Sequence, residues 1–232
     1  MNSSTGDRIN ADLFVRIAQI QANIPNHVKL IAVSKQVPAT AIRAAYTAGI
    51  RDFGENRVQE AIAKQAELAD LEDITWHLIG NLQANKAKKA LTHFQWIHSV
   101  DNLKLAQKLD SLAGELNLCP SICLQVKILP DPNKFGWHLD QLYADLPHLD
   151  RCKNLQIQGL MTIPPLGLDE AQTQDVFNRT RELAQAIASQ SWERIKMTEL
   201  SMGMSGDYQA AIQAGATMVR IGTSIFGRRN KG

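Results

Sequence analysis

Eight short apolar runs alternate with amphipathic stretches along this sequence, and that alternation constrains the fold more than any other feature. The runs are Val28 to Ser34, Asp52 to Gly54, Thr75 to Ile79, Trp96 to Val100, Ile122 to Ile128, Leu155 to Ile163, Met197 to Met202 and Met218 to Phe226. Between them apolar residues recur at spacings of three and four, as in Leu105, Leu109, Leu112, Leu116 and in Val176, Thr180, Leu183, Ile187, which puts one stripe on each helix. A further helix precedes the first run, with Ile9, Leu13, Ile17, Ile20 and Ile24 on one face. Leu30 to Val33 and Ile122 to Leu124 are apolar at successive positions, the pattern of a strand covered on both faces, and strict alternation of such strands with helices implies a parallel sheet. Eight units in 232 residues leave about 29 each, the length of a compact βα unit. The expected fold is therefore α/β, a single (β/α)8 TIM-type barrel in one domain over 1–232. An extra N-terminal helix lies within 1–26, and a basic tail covers 227–232. Asp52 to Gly54 is the weakest of the eight runs. An internal echo, Ala44 to Ile50 against Ala210 to Ala216, sets a Gly in each copy where a helix would end left-handed.

Charge and cysteine usage exclude several classes. Twenty-five basic against 23 acidic residues give a formal +2, too close to balance for nucleic acid or an anionic membrane as partner. The basic residues Lys86, Lys88, Lys89, Arg228, Arg229 and Lys231 read as solvated helix faces and tail, with no aromatic residues between them. No apolar stretch reaches the roughly 18 residues of a membrane span, and Met1 to Asn10 is polar with no apolar segment after it. Three cysteines make no disulfide framework, so a cytoplasmic location is expected and Cys119, Cys123 and Cys152 read as packing residues. His93, His98, His138 and His148 lack metal-site spacing, and no metal is expected.

In a (β/α)8 barrel the working face is the ring of loops at the carboxyl ends of the strands. Polar residues that end or occupy the runs are Lys35, Glu55, Asn56, His77, His98, Lys127, Thr162, Ser201 and Arg220 to Thr223, with Met161 beside Thr162. Lys35 closes the first strand. Burial there would favour the neutral amine that attacks a carbonyl, whereas a surface lysine opening the loop before Pro38 is the plainer reading. Ser201 to Asp207 and Gly222-Thr223-Ser224 carry small residues and hydroxyls after the seventh strand and within the eighth, the usual phosphate seat of this architecture. Ser205-Gly206-Asp207 also fits a simple helix N-cap. Arg220, a permanent cation inside Met218-Val219-Arg220-Ile221, must face either a carboxylate such as Glu199 or a ligand. An imine-forming lysine, a phosphate seat and a cationic donor at one mouth point to pyridoxal 5'-phosphate.

The residues also resemble a known family. Ala32-Val33-Ser34-Lys35, Gly54-Glu55-Asn56-Arg57-Val58-Gln59-Glu60, Trp76 to Lys86, Gly159 to Pro165, Leu200 to Asp207 and Val219 to Gly227 are similar to the pyridoxal phosphate homeostasis protein family, the YggS/PROSC group, and within it to PipY-type members. The resemblance implies an alanine-racemase N-terminal-domain-like barrel with the cofactor as an aldimine on Lys35. It implies phosphate contacts from Ser201, Gly203, Ser205, Gly222 and Thr223, a cofactor-facing Arg220, and Asn56, His77 and Met161 lining the same mouth. Lys127 departs from the family, many of whose members carry Asn there.

An arginine at the pyridine nitrogen leaves that nitrogen unprotonated and the ring a poor electron sink. Racemases with this arrangement need a second acid/base on the opposite face of the substrate, supplied by an additional domain. Here the sequence ends six residues after Phe226, and Tyr46 and Tyr208 lie on amphipathic helices. The expected function is a monomeric carrier that holds the cofactor, hands it to apoenzymes and maintains vitamin B6 and amino and keto acid homeostasis without turnover. The alternative is a pyridoxal phosphate-dependent amino-acid racemase completed by dimerisation.

Overall fold

Runs that are apolar at successive positions must hide both faces, and a closed parallel barrel inside a helical layer provides that cover. The computed structural model, which describes residues 3–227, has this architecture. The strands are β1 (Lys29–Val33), β2 (Asp52–Glu55), β3 (Thr75–Leu78), β4 (Trp96–Val100), β5 (Ser121–Val126), β6 (Gln156–Thr162), β7 (Ile195–Met204) and β8 (Met218–Ile221). Each pairs in parallel with the next, and β8 closes on β1 with Ile31 opposite Arg220 and Ala32 opposite Ile221. The weak second run is a true strand, because Asp52 to Glu55 pairs residue for residue with Thr75 to Leu78.

Helices α1 (Ser3–Ala22), α2 (Ala39–Thr47), α3 (Val58–Glu67), α4 (Ala87–His93), α5 (Leu103–Leu116), α6 (Leu139–Leu149), α7 (Glu170–Ala188), α8 (Tyr208–Gln213) and α9 (Thr223–Phe226) surround the sheet. The main core lies between the sheet and this layer, around Phe53, Leu78, Ile97, Leu109, Ile122, Leu142 and Phe177. Inside the barrel a smaller cluster joins Ile31, Cys123, Met161 and Met218. The extra helix α1 packs on α2 and α9, buries Leu13, Ile17 and Ile20, and is tied down by Arg16 Nε, which donates to the Ile225 carbonyl at 2.7 Å. No helix among the described residues is long and apolar enough to cross a membrane. Of the basic tail expected over 227–232, the part from Arg228 on lies outside the described residues.

Two details refine the sequence reading. The last run does not continue to Phe226: ladder pairing with β1 ends at Ile221, the chain turns at Gly222, and Thr223–Phe226 is a helical turn. Gly222-Thr223-Ser224 thus sits on a strand-to-helix corner and not within a strand. The internal echo is structural. Gly49 and Gly215 have φ of +95° and +97°, and in each copy the residue after the Gly bonds back five positions, Ile50 to Ala45 and Ala216 to Ala211.

Gly159 is needed for close approach. A Cβ there would lie 1.7 Å from the Glu199 carbonyl oxygen, where β6 and β7 shift register. Backbone on both sides cannot yield, so Gly159→Ala is predicted to lower unfolding stability by about 3 kcal/mol or more. Gly206→Ala, whose Cβ meets nothing within 4 Å, should stay within about 0.5 kcal/mol of the parent. Urea unfolding of both variants tests the contrast, and a Gly159→Ala protein of parental stability would contradict this account.

Candidate functional site

At the carboxyl ends of the strands a cavity of about 270 Å³ opens toward solvent. Its polar wall comes from Lys35 after β1, Asn56 after β2, Ser205 after β7, Arg220 on β8, and Gly222 and Thr223 at the following corner. Val33, Ile79, Ile163, Met204 and Phe226 supply the apolar wall. Six residues singled out from the sequence therefore converge from four parts of the chain.

Lys35 is half-buried, and its backbone is held firmly. Ser34 N donates to the Gly54 carbonyl at 2.9 Å, and Val37 N donates back to the Ser34 carbonyl at 2.9 Å. Gln36 takes a left-handed φ of 58°, and its N–H donates to the Glu60 carboxylate. Lys64 completes the mount: Nζ donates to the Ser34 carbonyl at 2.7 Å, to Glu55 Oε1 at 2.7 Å and to Glu60 Oε1 at 2.6 Å. Glu55 is fully buried and also accepts from Ser34 Oγ at 2.6 Å. Its Oε2 has no hydrogen-bond partner, and burial outweighs Lys64 and Ser34 and pushes its carboxyl above the usual range. Glu55 faces α3 and not the mouth, because on a strand it points opposite to its neighbours Gly54 and Asn56.

The corner after β8 is built around one hydroxyl. Ser205 Oγ lies 3.3 Å from Gly222 N and 3.5 Å from Ser224 N and accepts from both. At Gly222 a Cβ would come within 3.3 Å of the Val33 carbonyl oxygen, so strand β1 crowds this position. The N-cap reading holds only in part. Asp207 occupies the N-cap position of α8, yet its Oδ1 turns back to accept from Met204 N at 2.5 Å.

Three expected lining residues, Ser201, Met161 and His77, sit below the cavity within the barrel, and a fourth, Gly203, lies against the helical layer. Ser201 is fully buried, and its register partner on β8 is Met218, a level below Arg220. Met161 packs in the inner cluster with Ile31, Cys123 and Met218. Gly203 has φ +92°, and the space beside it is filled by Ala211 and Tyr208, so it serves the packing of α8 on β7. His77 is fully buried, with its ring stacked on Trp96 at 6.0 Å and 17°. Strand register explains the three within the barrel: inward-pointing positions in the middle of a strand fill it, and only those near its end reach the mouth. Lys127 follows β5 and is not among the cavity residues.

Arg220 is not paired with Glu199, whose carboxylate accepts from Thr217 Oγ1 at 2.6 Å. Instead NH1 donates to Ser201 Oγ at 2.6 Å and NH2 to the Thr162 carbonyl at 3.0 Å. Burial pulls the guanidinium down to about 10, so it remains a cation at neutral pH. Behind Ser201 the contacts continue. Ser201 Oγ meets His98 Nδ1 at 2.7 Å, His98 Nε2 meets His77 Nδ1 at 2.9 Å, and His77 Nε2 meets Asp52 Oδ1 at 2.9 Å.

Sequence reasoning missed Asp52, Glu60 and Lys64. Lys64 had a visible signal. It interrupts the buried face of α3 formed by Val58 and Ala61, and it stands four residues after Glu60, the spacing of a helical ion pair.

Comparison with known proteins gives a consistent picture. Residues 11–230 match the family model of the alanine racemase N-terminal domain. The pyridoxal phosphate homeostasis protein of Synechocystis is 54% identical over 91% of this chain and 96% of its own length. The structure of PipY from Synechococcus elongatus without pyridoxal phosphate superposes with a TM-score of 0.90 at 56% identity, covering 93% of this chain and all of the other. The structure of the same protein with pyridoxal phosphate bound gives 0.89 at 55% identity with the same coverage.

Removing Lys64 leaves Glu55 buried without its counter-charge, which typically costs about 3 kcal/mol. Lys64→Met is therefore predicted to lower stability by that amount near pH 8. A raised carboxyl takes up a proton in the folded state before the unfolded one, so the deficit should shrink as pH falls toward 5. Urea unfolding of parent and variant at both pH values measures this, and a pH-independent deficit would show that Glu55 is not its source.

Proposed function

Because this chain belongs to the pyridoxal phosphate homeostasis protein family, we propose that its barrel binds pyridoxal phosphate at the carboxyl-end cavity and carries it without turning over a substrate. The observation that carries this reading is the convergence, on one cavity, of a lysine amine, a buried arginine, and a hydroxyl gathered with main-chain N–H groups at a strand-to-helix corner. These donors match the electrophilic carbonyl, heteroaromatic ring and dianionic phosphate that pyridoxal phosphate supplies when bound.

Lys35 is the residue to which the aldehyde would attach. Its amine stands at the end of β1 on a backbone pinned by Ser34, Gln36 and Lys64, so little freedom is lost when it is held in place. Ser205, Gly222 and Thr223 would hold the phosphate. Arg220 would face the ring, and as a cation it offers only donors and so favours an unprotonated nitrogen. Asn56 adds an amide to the same wall.

Carriage in place of catalysis is supported by the composition of the wall. Among the described residues lining the cavity, the ionisable side chains are Lys35 and Arg220. Racemisation needs a second acid/base opposite the lysine, and a guanidinium at about 10 is a poor one near neutral pH. In this reading the protein works as a monomer in the cytoplasm, limits the concentration of a reactive aldehyde and passes it to apoenzymes.

The test is chemical. After incubation with pyridoxal phosphate and reduction with borohydride, peptide mapping should find the cofactor mass on Lys35, and Lys35→Ala should lose both the mass and the absorbance near about 420 nm while staying folded. Label on a different lysine would move the attachment point. Saturable amino-acid racemisation abolished by Lys35→Ala would replace the carrier reading with an enzymatic one.

A further inference from the structure

Arg220 ends a chain of polar side chains that runs through an otherwise apolar barrel, and the chemistry of each member fixes its direction. Guanidinium nitrogens only donate, so Ser201 Oγ accepts from Arg220 NH1. At the far end, near the amino-terminal rim, the Asp52 carboxyl is the acceptor. Burial opposes its ionisation, but the hydrogen bond from His77 and the charge of Lys29, 3.2 Å away, outweigh burial and hold it below the ordinary range. His77 therefore donates from Nε2. Burial keeps both imidazoles neutral, so His77 Nδ1 is an acceptor and His98 must donate to it from Nε2. That leaves His98 Nδ1 as an acceptor for the single proton of Ser201 Oγ. The Arg220 end is compatible with this assignment, since Ser201 Oγ can accept from NH1 while giving its own proton to His98 Nδ1. Every proton points away from the cavity, from Arg220 through Ser201, His98 and His77 to Asp52.

We propose that Ser201, His98, His77 and Asp52 are positioning residues for Arg220, a one-directional hydrogen-bond relay that sets how the guanidinium faces the cavity and ties it to a carboxylate at the opposite end of the barrel. Arg220 has no carboxylate within ion-pair distance among the described residues, and it is held by two neutral oxygens, Ser201 Oγ and the Thr162 carbonyl. A neutral hydroxyl is a stronger acceptor when its own proton is committed to a further acceptor, so polarisation along the chain strengthens its grip on the cation. Reversal of any one member would set two donors against each other in a dry interior. Asp52, with 20% of its side chain exposed, is the member that solvent reaches, beside the groove lined by His27, Lys29 and Arg51.

The relay bears on ligand binding only if the cavity takes pyridoxal phosphate, so the test separates the two. Histidine side-chain 15N resonances of the cofactor-free protein at pH 7 should show His77 and His98 both as neutral Nε2–H tautomers. An Nδ1–H tautomer or an imidazolium at either residue would overturn the relay whatever the cavity binds. Ser201→Ala, which removes the hydroxyl next to Arg220, should weaken pyridoxal phosphate binding about tenfold and shift the bound absorption band. Asp52→Asn, on the far rim, should weaken binding about threefold and move the His98 resonances, although residue 52 does not line the cavity. Parental affinity and an unshifted band in both variants would reduce the chain to a structural role and overturn the proposal. Failure of the parent protein to take up pyridoxal phosphate would refute the cofactor reading alone, and the tautomers would still decide the relay.

Discussion

A charge that cannot be neutralised sits on the eighth strand of a closed barrel, and much of the interior is arranged around it. Burying a guanidinium without adequate acceptors costs several kcal/mol. The usual remedy, an adjacent carboxylate, is absent among the described residues, and Glu199 accepts from Thr217 instead. The barrel instead supplies a serine hydroxyl and a main-chain carbonyl, and behind the hydroxyl two histidines and an aspartate. This choice leaves the guanidinium directed by hydrogen bonds and not collapsed onto an anion. It also explains why His77, His98 and Ser201, polar residues in apolar runs, are fully buried without being orphaned.

The lysine on the first strand is managed differently. Its neighbours are fixed through an outer network, Ser34 with Glu55, Lys64 and Glu60, lying between the sheet and α3. The mouth thus has two supports on opposite sides of the sheet. One acts through backbone outside the barrel, and the other through side chains within it. Alternation of side chains along a strand is what allows adjacent residues to serve the two systems.

Period and spacing made the architecture legible. Apolar doublets such as Leu30-Ile31 reported two covered faces, and all eight runs became strands of one closed sheet. Even the short Asp52 to Gly54 run held, because Glu55 extends it and the neighbouring ladder fixes its register. The end of the eighth run was not legible, since Ile225 and Phe226 are as apolar as strand residues and only the loss of ladder partners turns them into a helix. For the candidate site, the strand-end residues Lys35, Asn56, Ser205 and Arg220 line one cavity. Ser201, His77 and Met161 lie below the cavity, because depth in a barrel depends on stagger between strands, which no single segment encodes. Glu55, which ends the second run beside Asn56, faces α3, as its alternation with Gly54 and Asn56 implies.

The seam between β1 and β8 joins the earliest strand of the barrel to the last, with Ile31 opposite Arg220. Lysine and arginine therefore come to line one cavity only when the ends of the fold meet, a pairing of very large sequence separation. While the polypeptide is still emerging from a ribosome, the half that carries the amine has no wall from the eighth strand and no corner at Gly222. A truncated molecule lacking the eighth strand would present its lysine without the arginine and the Gly222 corner that complete the cavity.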